Sequence, residues 1–297
     1  MKIRIVTLLL VTIFLLTGCM EEKNENWIQY LISSKQSDTS NDKSQNISQP
    51  FQIYKNKIYL NEGEWMKRID IDTGERTNFV KKIADKFYIQ NDRIFFEDYK
   101  DGPCISIYDL TNTTANPTNE YWRNITSMLV VEGEIIGLRM GEKTSSICKH
   151  NGKSEEILFE FSTKTGDSYA DELVGYYNGN YYLADFNEQK IYEVNENSRV
   201  LKEIFCCNED KPYTYDFLKV RYMQGKLFVL GTVIDTEKSS LGGLYYVENA
   251  ANTGVWEISL NDNKSKKISA TLFDDLYVFD KNIYGIYSKG YELLVDE

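Results

Sequence analysis

One histidine among 297 residues leaves little room for imidazole chemistry. His150 by itself excludes a multi-histidine metal site and weakens any Ser-His-Asp or Cys-His reading. Basic residues are outnumbered, 34 Lys plus Arg against 45 Asp plus Glu, for a net charge of −11. A chain so acidic has nothing to neutralise phosphates, which excludes a nucleic-acid partner. Proline is scarce, with 4 residues, and cysteine numbers only 5. No hydrophobic run reaches the roughly 20 residues that span a bilayer; the longest, Ile5 to Leu16, has about 12. Missing too are a Gly-rich phosphate loop, a zinc-protease helix motif and a Gly-x-Ser-x-Gly elbow. What is abundant is apolar and aromatic matter: 42% hydrophobic residues, with 22 Tyr, 14 Phe and 4 Trp. That content excludes a mainly disordered chain.

The N-terminus carries the sharpest pattern. Lys2 and Arg4 precede the apolar run, whose length suits the h-region of a secretory signal. It ends at Leu16-Thr17-Gly18-Cys19. This tetrapeptide resembles the lipobox of bacterial lipoproteins, an aliphatic residue and two small ones before Cys. The resemblance implies cleavage after Gly18 and acylation of Cys19, palmitate being one such acyl group. It covers residues 1–19. The leader takes two positive charges and no acid with it, so the mature chain is more negative still. A negative body is not drawn to anionic lipid. Membrane association therefore rests on the acyl chains of Cys19, at about 0.8 kcal/mol per buried CH₂.

Residues 19–50 read as lipid anchor and flexible tether. From Ser33 to Gln49 only Ile47 is apolar, too little to offset the entropy of ordering. Trp27–Ile32 is a short apolar patch inside that tether.

From 51 to 297 the chain reads as all-β. A strand, a polar two-residue turn and a second strand recur: FQIY-KN-KIYL (51–60), FYIQ-ND-RIFF (87–96), MLVV-EG-EIIGL (128–138), GYY-NG-NYYL (175–183), VRYM-QG-KLFVL (220–230) and YVF-DK-NIYGI (277–286). Asn178-Gly179 is the strongest hairpin signal. The turns begin at Lys55, Asn91, Glu132, Asn178, Gln224 and Asp280, spaced by about 36 to 56 residues, the period of propeller blades. Third strands follow at 65–72, 104–110, 190–195 and 255–261. Weaker fourth strands follow at 77–82, 156–161, 200–205 and 266–270. The body resembles bacterial six-bladed β-propellers of the broad TolB-like kind, through its Tyr-rich hairpins and the strand–Asp–Thr–Gly turn at 69–75. Six four-stranded blades are expected, with seven as the rival number. The last blade runs out early, and Trp27–Ile32 is a candidate strand to close it.

Candidate chemistry is thin. His150 beside Cys148 has metal-ligand chemistry, but Asn151-Gly152 after it reads as a turn. Asp70, Asp72 and Glu75 supply too few oxygens for a Ca²⁺ loop and read as a solvated turn. Asp274-Asp275 and Asn208-Glu209-Asp210 are similar acidic loops. Cys104, Cys148, Cys206 and Cys207 remain after acylation and allow three full pairings or none. No catalytic, cofactor-binding or metal-ligating residue is assigned; Cys19 is the one modification site. The expectation is a monomeric, non-enzymatic module on the extracytoplasmic face of the cell membrane, binding a protein, peptide or glycan. The alternatives are a hydrolase or lyase acting on a glycan or lactone, and a scaffold for an envelope complex. Two carboxyls converging at the channel mouth with perturbed pKa values would favour the enzyme, and an aromatic rim without them would favour binding.

Overall fold

The computed structural model describes residues 44–45, 51–62, 65–81, 87–99, 101–111, 120–141, 143–150, 154–162, 172–207, 212–239, 244–247, 250–279, 282–287 and 290–295. Cys19 and Trp27–Ile32 lie outside the described residues.

A two-residue strand, β1 (Ser44–Gln45), comes first. Blade 1 holds β2 (Phe51–Tyr54), β3 (Lys57–Glu62), β4 (Trp65–Asp70) and β5 (Arg76–Lys81). Blade 2 holds β6 (Phe87–Gln90), β7 (Arg93–Tyr99), β8 (Pro103–Asp109) and β9 (Glu120–Arg123). Blade 3 holds β10 (Ser127–Val131), β11 (Glu134–Arg139), β12 (Thr144–His150) and β13 (Glu155–Ser162). Blade 4 holds β14 (Glu172–Tyr177), β15 (Asn180–Asp185), β16 (Lys190–Asn195) and β17 (Leu201–Cys206). Blade 5 holds β18 (Tyr213–Met223), β19 (Lys226–Asp235), β20 (Tyr246–Val247), β21 (Gly254–Ser259) and β22 (Lys264–Ser269), with a single helical turn, α1 (Thr236–Ser239), between β19 and β20. Blade 6 holds β23 (Asp275–Phe279), β24 (Asn282–Tyr287) and β25 (Gly290–Val295). Each sheet is an antiparallel meander, and the six are arranged as a β-propeller.

The turns explain the meander. Lys55-Asn56, Asn91-Asp92, Glu132-Gly133, Asn178-Gly179 and Gln224-Gly225 all have φ between +46° and +80°. Two consecutive positive φ values make type I′ turns, whose twist matches the flanking strands. These are the hairpin turns expected from the sequence. The sixth, at 280–281, lies outside the described residues.

The core is divided among the gaps between blades. Tyr59, Met66 and Val80 of blade 1 pack on Phe87, Ile94 and Phe96 of blade 2. Equivalent layers join blades 2 and 3, 3 and 4, 4 and 5, and 5 and 6. Ile58, Leu60 and Ile69 of blade 1 form a smaller cluster, as do Tyr284 and Ile286 of blade 6. Alternation along β3 and β24 turns both away from the large layers and toward the seam that closes the ring. Middle blades are thus buried on both faces. That is why β11, β15 and β19 read as nearly continuous apolar runs.

The first strand of each blade faces the axis, and β2 approaches β6, β10 approaches β14, β14 approaches β18 and β18 approaches β23 around it. Side chains of the preceding blade cap their inner edges. Ile89 N donates to Gln52 Oε1 at 2.7 Å, Met128 N to Glu97 Oε1 at 3.1 Å, and Leu173 N to Ser127 Oγ at 3.1 Å.

Blade 6 has three strands among the described residues, as the early end of the last repeat implies, and blade 5 gains β20 beyond the expected four. Strands β9 and β12 were not anticipated. β1, which pairs with β10 of blade 3, lies in a stretch read as tether.

Candidate functional site

The meander gives the ring two unlike faces. One, the turn face, carries the tight hairpins and the links between third and fourth strands. The other, the connection face, carries the links between second and third strands and those from blade to blade.

The turn face is polar and tied down locally. At 70–75 the Asp70 carboxylate accepts from the N–H groups of Asp72 and Thr73, both at 3.1 Å, and pairs with Lys57 at 2.9 Å. This is a solvated turn, as expected from the sequence. The Lys57 ammonium, then the Thr73 N–H, hold the Asp70 pKa down at about 2. A folded pKa below the unfolded value near 3.9 stabilises the fold above that value, and the contribution is lost as pH falls toward 2. Lys57→Met is expected to bring Asp70 back toward the ordinary carboxylate range in an NMR titration. An unchanged Asp70 titration would refute this assignment of cause.

The connection face differs. Among the described residues, twelve large apolar side chains are exposed. Nine of them sit at strand ends or links on this face: Trp65 in blade 1, Tyr99 in blade 2, Tyr213, Leu244, Tyr245 and Tyr246 in blade 5, Leu272 before blade 6, and Tyr287 and Tyr291 within it. The other three are Val200 on the turn face and Ile157 and Leu293 on outermost strands. The nine follow an arc over blades 5, 6, 1 and 2. Tyr99 is 74% exposed and Leu244 65%.

Blade 5 projects furthest. β18 and β19 have 11 and 10 residues. Their turn at 224–225 fixes one end on the turn face, so the extra length rises from the connection face. The excursion between β19 and β21 is built onto this prow. Asp235 caps α1, accepting from Lys238 N at 3.0 Å. That N–H, then the Lys238 ammonium, lowers the Asp235 pKa. Asp235 N donates to the Tyr245 carbonyl at 2.9 Å, and Tyr245 N to Ser239 Oγ at 2.8 Å. Thr253 Oγ1 ties the excursion down, donating to the Val247 carbonyl at 3.3 Å. The Lys238 ammonium lies 4.6 Å from the Tyr245 ring centroid, a cation–π contact. Tyr245 and Tyr246 are therefore held in place while exposed.

Among the described residues, Asp216 is the carboxyl raised above its ordinary range, and burial is the cause. It lies on β18, near the connection-face end of the channel. No group of three His, Cys, Asp or Glu side chains with metal-site geometry occurs among the described residues.

His150 ends β12, with its ring 5.2 Å from that of Trp122 and 6.5 Å from that of Phe95. It is part of the wall between blades 2 and 3. Cys148 and Cys104 are buried, Cys206 and Cys207 half-buried, and no disulfide joins any of the four. Burial pushes the Cys148 and Cys206 thiols up, away from the reactive thiolate.

No protein-family model matches the chain, and no curated protein matches it. Solved structures do. The extracellular domain of a protein described as a hybrid two-component system of Bacteroides thetaiotaomicron is similar over 80% of this chain, with 13% identity and a TM-score of 0.53. A second structure of that same extracellular domain, there described as belonging to a one-component system, is similar over 82%, with 14% identity and a TM-score of 0.52. This chain spans 32% of the length of each. At that identity the likeness is one of fold.

Proposed function

We propose that the chain is a lipid-anchored, extracytoplasmic binding module that docks a protein partner on the connection face of its propeller. The concentration of exposed aromatic side chains on that face carries the reading. Tyr and Trp supply large contact area at low entropic cost and dominate interface energetics. Their spread over four blades suits a macromolecular surface rather than a small ligand. The signal-like leader and the Leu16-Thr17-Gly18-Cys19 motif support the anchor. The solved Bacteroides domain of similar fold is described as extracellular. No helix among the described residues is long and apolar enough to cross a membrane.

Two experiments test the reading. Cys19→Ala is expected to abolish incorporation of labelled palmitate and to move the protein out of the detergent phase; a variant that stays there refutes the anchor. Tyr245→Ala/Tyr246→Ala, with and without Trp65→Ala, is expected to abolish crosslinking to the surface partner in cells. These side chains are exposed, so stability should stay within about 1 kcal/mol of the parent. Val200→Ala on the turn face is expected to leave crosslinking intact. Equal crosslinking by all variants would refute the docking face, and a glycan captured in place of a protein would refute the partner class.

A further inference from the structure

Between blades 1 and 2 the apolar layer ends in a charge. On β7, Ile94, Phe96 and Asp98 alternate onto the face turned to blade 1. The first two join the layer that Val80 and Tyr108 complete. Where a third apolar side chain would extend it stands Asp98, 9% exposed, with Ser106 of β8 at 1%. Burying a carboxylate is costly unless it is hydrogen-bonded. Ser106 Oγ donates to its Oδ2, and Tyr99 N donates to its Oδ1 at 2.7 Å. A carboxylate offers about four acceptor positions, and these two contacts use two.

Asp98 also lines a recess. Val80 and Lys81 of β5 form one side, and Phe96, Asp98, Ser106 and Tyr108 the other. With the solvent at its mouth the recess measures about 180 Å³, and its floor admits one group the size of a water or an ammonium. Lys81 ends β5 and Asp98 is next to the end of β7, so the recess sits at the connection-face end of the seam. Tyr99 follows Asp98 in the chain, and Trp65 is the strand partner of Lys81; both belong to the aromatic arc. The rings of Phe96 and Tyr108 meet edge to face at 5.2 Å.

This chemistry selects its occupant. An anion would meet the carboxylate in a site with little water to separate them. A neutral alkyl group would displace water from the carboxylate and give it no donor. A guanidinium is a planar fork with five N–H donors, broader than a floor of one water-sized group. An ammonium has three donors on a compact head. Its alkyl stem can lie along Val80, and aromatic walls attract a cation. Lys81 brings an ammonium of its own to the rim, where it is exposed to solvent.

We infer that this recess receives a primary ammonium on an alkyl stem, and that in the docked complex it is a lysine side chain of the partner. The second half rests on the docking face proposed above. The net charge of −11 favours a partner with a basic contact surface.

The test has two arms. In the first, the full chain is titrated with n-butylammonium chloride, sodium butyrate or n-butanol at constant ionic strength, and the amide signals of Tyr99 and Ser106 are followed by NMR. Saturable shifts are expected with butylammonium alone. Asp98→Asn is expected to weaken its binding at least about tenfold, the loss of one charge-assisted hydrogen bond. The amide can still accept from Tyr99 N and donate to Ser106 Oγ, so the fold should survive. Lys81→Met is expected to leave binding at least as tight. Equal shifts with butyrate or butanol, unchanged binding in Asp98→Asn, or weaker binding in Lys81→Met overturns the recess. The charge selectivity is read on the parent, so a variant that fails to fold leaves the recess decided. In the second arm, Asp98→Asn is expected to reduce crosslinking to the surface partner severalfold. Unchanged crosslinking by Asp98→Asn, where Tyr245→Ala/Tyr246→Ala abolishes it, overturns the partner's lysine and leaves the docking face standing. Unchanged crosslinking by both refutes the docking face and the partner's lysine with it, while the titration still decides the recess.

Discussion

Arg221→Ala is expected to destabilise the body by about 3–5 kcal/mol, the range for breaking a buried ion pair from one side. Arg221 is on β18, and its side chain is 6% exposed. Its Nε donates to the Leu276 carbonyl at 2.8 Å, its Nη1 to the Val220 carbonyl at 3.1 Å, and its Nη2 to Asp275 Oδ1 at 2.9 Å. Leu276 and Asp275 open the axial strand of blade 6. One guanidinium thus fastens that blade to blade 5 beside a layer of Met223, Phe228, Phe273 and Leu276. Blade 6 has three strands among the described residues, so it has less sheet of its own to rely on. Truncation removes the donor of a buried carbonyl, which by itself costs about 1–3 kcal/mol. It also removes the partner of Asp275, which is 25% exposed and recovers some hydration. Arg221→Lys keeps the charge, but a single ammonium cannot reproduce the planar fork, so an intermediate loss is expected. Urea unfolding measures both; a loss under 1 kcal/mol for Arg221→Ala would show that blade 6 is held by its apolar layer alone.

Much of this architecture was legible because the hairpin turn is a local device. Lys55-Asn56 and Asn178-Gly179 adopt type I′ geometry that short-range sterics select, and their spacing indicated six sheets. Strand β12 was hidden because its core-facing positions include Ser145 and Ser146, 0% and 5% exposed. Backbone pairing with β11 and β13 buries those serines, and hydropathy cannot register it. Strand β9 has four residues, too few for a period to show. β1 lies in a stretch of Ser, Gln, Asn and Lys that reads as tether. Its pairing exists because β10 offers an edge about 85 residues away, a contact no local pattern encodes. The aromatic arc was invisible for a different reason. A Tyr filling a gap between blades, such as Tyr182, and one standing on a link, such as Tyr245, have the same composition signal. Only strand order says which side of the ring a link is on. The long interval between β19 and β21, with Leu244-Tyr245-Tyr246 inside it, was the one available hint.

Trp122→Ala is expected to cost about 3–5 kcal/mol, the range for truncating a buried aromatic. Its effect should depend on what stands at position 137. Trp122 is 2% exposed and lies over β11 of the next blade, where a Cβ on Gly137 would come within 2.4 Å of the indole ring. Its Nε1 donates to Glu155, which also pairs with Arg139 at 2.6 Å. Gly137→Ala alone should then cost about 1–3 kcal/mol by overpacking, because ring and backbone are both fixed. In Trp122→Ala/Gly137→Ala the added methyl meets a cavity where the ring was, and only the Ile125 side chain, 2.8 Å away, must still give. The double variant should be more stable than the sum of the single losses by at least about 1 kcal/mol, the coupling typical of residues in contact. Additive losses within 0.5 kcal/mol would mean that Trp122 does not seat on Gly137. Blade 6 repeats the arrangement: Gly285 is the fourth residue of β24, as Gly137 is of β11, and its Cβ would come within 2.5 Å of the Phe273 ring. In both blades an aromatic that precedes the sheet in sequence closes on a glycine of its second strand. Successive blades are thereby keyed together without a disulfide, and Phe273→Ala/Gly285→Ala should show the same sign of coupling.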